Sequence, residues 1–135
     1  MSSYDVGLEA RDGVVVVTLT GEFDLSQSSA LEAQLRSAML DDPPFVVVDF
    51  AAATFLDSTA LGVLVGAAKE AADRSGWLRL ACAENRAVRR ILELTQLDSA
   101  FGLYEAVDDA IKTQRPTGTA YEQTPSGEPP VTPEV

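Results

Sequence analysis

Four consecutive apolar residues, Phe45-Val46-Val47-Val48, constrain this chain more than any other feature. A run without polar alternation suits a strand covered on both faces, as happens where helices flank a sheet. Ala51–Leu56 then reads as a connecting loop. Asp57-Ser58-Thr59 follows, with Asp57 placed to cap a helix over Ser58–Arg74 that Ser75-Gly76 closes. The first three turns of that helix hold Ala60, Leu61, Val63, Leu64, Val65, Ala67 and Ala68. A helix apolar all round is expected to be buried on more than one side.

The remaining elements follow from the same patterning. Tyr4–Ala10 alternates loosely and ends in Arg11-Asp12-Gly13, a hairpin-type turn. Val14–Leu19 is β-branched and apolar and predicts a central strand. Ser29 with Glu32 fits a capping box, and Leu31, Leu35 and Ala38 or Met39 give the following helix its apolar face. Asp41-Asp42-Pro43-Pro44 stops it. Trp77–Ala83 predicts a strand with Trp77, Arg79 and Ala81 on one face and Leu78, Leu80 and Cys82 on the other. Arg86–Leu94 predicts a helix with Val88, Ile91 and Leu92 inward. Leu97–Leu103 carries a turn and a short strand, and Glu105–Lys112 a last helix. Strand and helix alternate after the first hairpin, which implies an α/β domain with parallel later strands. There is no internal repeat.

The 135 residues suit one domain, and composition changes at Thr113. Five of the seven prolines lie beyond that point, with little apolar area to offset ordering entropy. The domain is therefore expected over residues 1–112, followed by a disordered or extended tail over 113–135. The tail's Pro130 and Pro133 form one PxxP, a weak match to a Pro-rich ligand. The net charge of −11 repels phosphate backbones, so no nucleic-acid partner is expected. With no His and one Cys, neither a metal site nor a disulfide is expected. The N-terminus does not resemble a signal peptide, and the most apolar window, Thr59–Ala68, is about half the ~20 residues of a membrane span. A cytoplasmic domain without membrane insertion is the expectation.

Asp57-Ser58-Thr59 admits two readings. The plain one is a helix cap. The other is a phosphorylation site, since a helix N-terminus favours an anion and a phosphate on Ser58 would not melt the helix. Catalysis is not expected: Ser58 has no His to activate it and no Lys nearby, and no Walker-type loop is present. A receiver domain phosphorylated on Asp49, at a strand end, would need paired acidic residues and a Lys that are not evident.

Three segments together carry a resemblance: Gly21-Glu22-Phe23-Asp24-Leu25, Val46-Val47-Val48-Asp49-Phe50, and Thr54-Phe55-Leu56-Asp57-Ser58-Thr59-Ala60-Leu61-Gly62. In this order they resemble the STAS-domain anti-sigma factor antagonists (anti-anti-sigma factors), over about 100 residues reaching Leu97-Asp98. The resemblance implies a mixed sheet of about four to five strands, an N-terminal hairpin followed by βα units, with helices packed on it. It implies phosphorylation of Ser58 by an anti-sigma factor of the serine-kinase type, with Thr59 as an alternative acceptor and Asp57 as the neighbouring cap. Glu22, Asp24, Ser58, Thr59, Ala60, Leu61 and Gly62 would then form the partner surface. Unphosphorylated, such a protein binds the anti-sigma factor and frees a sigma factor. ATP and Mg²⁺ belong to the kinase, so no cofactor is expected here, and a serine phosphatase is a further implied partner. A monomer or weak dimer is expected. The alternative of the same fold is a scaffold or lipid-transport accessory STAS domain that is never phosphorylated. Ala60 stands where the signature has Gly, and a methyl group there would narrow a partner's approach.

Three smaller features have plain expectations. Cys82 reads as a buried small hydrophobe. Arg86, Arg89 and Arg90 read as a solvated helix face, with Arg89 and Glu93 at the supportive i,i+4 spacing. Trp77 reads as a packing anchor.

Overall fold

The structure, a computed structural model, describes residues 4–81, 85–96 and 102–112. The N-terminal hairpin joins β1 (Tyr4–Arg11) to β2 (Val14–Phe23) through Asp12-Gly13. Both turn residues are left-handed, at φ 54° and 81°, and this two-residue geometry matches the right-handed twist of the paired strands. A 3-10 turn (Leu25–Gln27) leads into α1 (Ser28–Ala38). Then come β3 (Phe45–Leu56), α2 (Ser58–Asp73), β4 (Trp77–Ala81), α3 (Arg86–Leu94), β5 (Gly102–Tyr104) and α4 (Val107–Lys112). The sheet order is β1-β2-β3-β4-β5, antiparallel at the hairpin and parallel between all later neighbours. The expected mixed sheet of βα units is the observed one.

Several boundaries differ from expectation. Ala51–Leu56 is not a loop but the second half of β3, because β2 also runs on, to Phe23, and supplies a parallel partner. The ladder runs Thr18↔Asp49, Thr20↔Ala52, Gly21↔Ala53, Glu22↔Phe55 and Phe23↔Leu56, with register shifts between Thr18 and Thr20 and between Gly21 and Glu22. Each shift disturbs the period-two alternation from which a strand is read in sequence. Val14–Leu19 is interior, but the centre of the sheet is β3. The capping box lies earlier than Ser29–Glu32. Asp24 accepts from the Ser26 N–H at 2.8 Å, while Gln27 Oε1 accepts from the Asp24 N–H at 3.0 Å. The chain thus winds first as a 3-10 turn that passes directly into α1, leaving Ser29 inside the helix.

The main core lies between the sheet and α1, α2 and α3, and joins Val17, Leu19, Val46, Val48, Leu31, Leu35, Leu64, Val88 and Leu92. Burying one such Leu contributes about 1.5–3 kcal/mol. The opposite face is covered by α4, where Val14, Val47, Ala81 and Ala110 pack with Phe45 and Trp77. This second cover explains why β4 is buried on both faces. Arg79, placed by alternation beside Trp77 and Ala81, is 0% exposed. Its guanidinium donates to the Ala110 carbonyl at 2.8 Å and stacks 3.8 Å above the Trp77 ring. Hydrogen bonding and cation–π contact are what make a buried guanidinium tolerable. Trp77 is the expected packing anchor, tilted against Phe45 at 5.3 Å between ring centres.

The turn from α2 into β4 depends on a close approach. A Cβ on Gly76 would lie 1.8 Å from the Pro44 carbonyl oxygen, so only glycine fits beside that backbone. Val88 and Leu92 of α3 are buried and Ile91 is half-buried, as its sequence predicts. Arg86 and Arg90 are exposed, Arg89 is half-buried, and Arg89 forms no ion pair with Glu93. Cys82 and the segment from Thr113 onward lie outside the described residues.

Candidate functional site

Parallel pairing of β2 with β3 brings the two motifs to one end of the sheet. Glu22 stands opposite Phe55, and Phe23 opposite Leu56. The Asp57 N–H then donates to the Phe23 carbonyl at 3.1 Å, tying the second motif to the first where both strands end. Asp57 adopts extended backbone, and its Oδ1 accepts from the Ala60 N–H at 3.0 Å. The cap expected from the sequence is therefore in place. It fixes the direction in which α2 leaves the sheet.

Ser58 is the first residue of α2, and both it and Thr59 are exposed. At this position the peptide N–H groups lack intrahelical acceptors and the helix dipole is positive. An added anion here would meet a favourable backbone field but also the adjacent Asp57 carboxylate, half-buried beside it. Glu22 is exposed, and Asp24 is half-buried by its cap duty.

Apart from the half-buried Asp24, the expected partner residues divide into two groups. Glu22, Ser58, Thr59 and Gly62 face outward. Ala60 and Leu61 point into the core, Ala60 at 0% exposure. The Ala60 methyl therefore does not narrow a partner's approach, contrary to expectation: it fills the interior beneath the helix start. The expectation that α2 is buried on more than one side holds only in part. Ala60, Leu61, Leu64, Ala68 and Ala71 are buried, while Gly62 and Gly66 stand exposed. A Cβ at either glycine would meet nothing within 4 Å, so internal packing does not require them. With Thr59 they line a groove of about 450 Å³ whose other wall is α1, at Leu35, Arg36 and Met39.

Two residues outside the expected partner set, though within the two motifs, also belong to this end of the molecule. Leu25 is 70% and Phe55 45% exposed, both large and apolar. Leu25 follows Asp24 in the first motif, and Phe55 precedes the buried Leu56 in the second. The signal for Phe55 is alternation: if Leu56 points inward, its neighbour points out. Reading 51–56 as a loop removes that inference. Asp49, by contrast, is half-buried and accepts from the Ala51 N–H at 2.9 Å, a local bend within β3. Among the described residues no cluster of His, Cys, Asp and Glu is arranged to hold a metal, and no helix is long and apolar enough to cross a membrane.

A mixed five-stranded sheet, opened by a hairpin and bringing the Gly21–Leu25 and Thr54–Gly62 segments together at one end, defines the class. The chain belongs to the STAS domain family, which it matches over residues 5–110. It is 32% identical over 109 residues to the anti-sigma-F factor antagonist RsfB of Mycobacterium tuberculosis, covering 81% of this chain and 88% of that protein. The crystal structure of an anti-sigma factor antagonist from Mycobacterium paratuberculosis matches with a TM-score of 0.73 at 35% identity. That match covers 81% of this chain and 92% of the other. The Bacillus cell fate determinant SpoIIAA, in its phosphorylated form, shares the fold at 21% identity and a TM-score of 0.60, over 79% of this chain and 96% of its own.

Proposed function

We propose that this protein is a cytoplasmic anti-sigma factor antagonist whose partner is a serine-kinase anti-sigma factor and whose switch is phosphorylation of Ser58. The observation that carries the reading is the exposed Ser58 hydroxyl at the first position of α2, beside the joined ends of β2 and β3. The anti-sigma factor antagonists at 32% and 35% identity supply the partner class. Unmodified, the surface of Glu22, Ser58, Thr59 and Gly62, with Leu25 and Phe55 beside it, docks the anti-sigma factor and releases a sigma factor. Phosphorylation places about −1.5 to −2 charge in that contact, and its desolvation there costs more than the contact returns. The nucleotide and its metal stay with the kinase. Thr59, one residue further and also exposed, is the secondary acceptor, and a serine phosphatase would reset the switch.

Intact mass after incubation with ATP and the cognate kinase tests the modification. One added phosphate, lost in Ser58→Ala, is the expected result; no shift with an active kinase favours a STAS scaffold instead. In binding, Ser58→Ala should hold the anti-sigma factor constitutively and Ser58→Glu should not. Wild-type affinity in both variants contradicts the switch.

A further inference from the structure

β1 is an edge strand, and among the described residues no element lies beyond it. Its eight residues offer one free side of backbone, and the hairpin fixes which groups those are. The two-residue turn makes Arg11 and Val14 a hydrogen-bonded pair, since Arg11 carbonyl and Val14 N–H close it. Hydrogen-bonded pairs alternate along an antiparallel ladder, so Glu9, Gly7 and Asp5 also bond to β2. Tyr4, Val6, Leu8 and Ala10 therefore turn their N–H and C=O groups outward.

Exposed edges of this kind are usually protected by charge. Asp5, Glu9 and Arg11 carry that charge here, and their effect depends on register. Suppose a second β1 adds antiparallel, with only even-numbered residues hydrogen-bonding across the new junction. Centring the twofold on Gly7 sets Asp5 against Glu9 twice, which is repulsive. Centring it on Leu8 sets Asp5 against Arg11 twice, at the close non-hydrogen-bonded positions, and Leu8 against Leu8. Leu8 is 38% exposed, and Arg11 retains an exposed flank beside its ion pair with Asp108. Of these two registers, the one centred on Leu8 is complementary.

The geometry points to β1 as the contact for a second copy of this chain, joined antiparallel about Leu8 into one continuous sheet across the dimer. Opposed charges in such pairs contribute about 0.2–1 kcal/mol each, so the association is weak and sensitive to either charge.

The test uses the full chain, with sedimentation velocity across a wide concentration range. Wild type should move from one copy to two as concentration rises. Asp5→Arg alone opposes Arg to Arg, and Arg11→Asp alone opposes Asp to Asp, so each should dimerise about tenfold more weakly or not at all. An equimolar mixture of the two variants restores both opposite-charge pairs and should recover the dimer as a heterodimer. Circular dichroism of each variant confirms that both remain folded. A wild type that stays monomeric throughout overturns the proposal and leaves the edge to solvent or to a strand of another protein. Dimerisation unaffected by either substitution, or not recovered in the mixture, overturns it equally by placing the contact elsewhere.

Discussion

Gly62 and Gly66 separate stability from recognition on a single helix face. Glycine inside a helix costs roughly 1 kcal/mol relative to alanine, and neither position has a packing reason to bear that cost. A Gly62→Ala variant should therefore gain about 0.5–1 kcal/mol in urea unfolding. If α2 meets a partner backbone along Thr59 and Gly62, the same variant should bind the anti-sigma factor several-fold less tightly. Unchanged affinity would place the contact off this groove. The proposed acceptor, Ser58, stands out in the sequence: a carboxylate and two hydroxyls before an apolar run mark a helix start. The inward direction of Ala60 does not, because its facing depends on how the cap at Asp57 sets the first turn of α2.

The elements show where sequence patterning carries far and where it stops. The α2 boundaries, the hairpin turn and the α3 inner face were all visible in one-dimensional periodicity. The second half of β3 was not, since two register shifts disturb alternation and four small or β-branched residues, Ala51-Ala52-Ala53-Thr54, resemble a loop. What holds that irregular half in place comes from elsewhere in the chain. Asn85 Nδ2 donates to the Phe50 carbonyl at 2.6 Å and to the Ala53 carbonyl at 2.7 Å, while its Oδ1 caps α3 at the Val88 N–H, 3.2 Å away. One side chain thus serves two elements. Asn85→Ala removes the cap and leaves two strand carbonyls short of a donor, so it should cost about 2–3 kcal/mol, read as a lowered urea midpoint. An Asn85→Asp change keeps the cap but turns a carboxylate oxygen onto both carbonyls, so it should cost at least as much as Asn85→Ala. A loss under about 0.5 kcal/mol for Asn85→Ala would show that the β3 bend needs no clasp.

Across the whole molecule, most of the acidity lies in residues 1–112. Residues 1–112 carry nine basic and eighteen acidic side chains, a surplus of nine negative charges. Against that background one phosphate alters the global field little, and exposed charges beyond about 8 Å are screened at physiological salt. A phosphate on Ser58 can act as a switch only through the contact it enters, at the joined ends of β2, β3 and α2. The decisive measurement is calorimetric titration of the cognate anti-sigma factor with the unmodified chain and with the same chain carrying phosphoserine at position 58. Affinity should fall about a hundredfold on phosphorylation, near 3 kcal/mol, with the fold unchanged. Equal affinity for the two forms would contradict Ser58 as the switch.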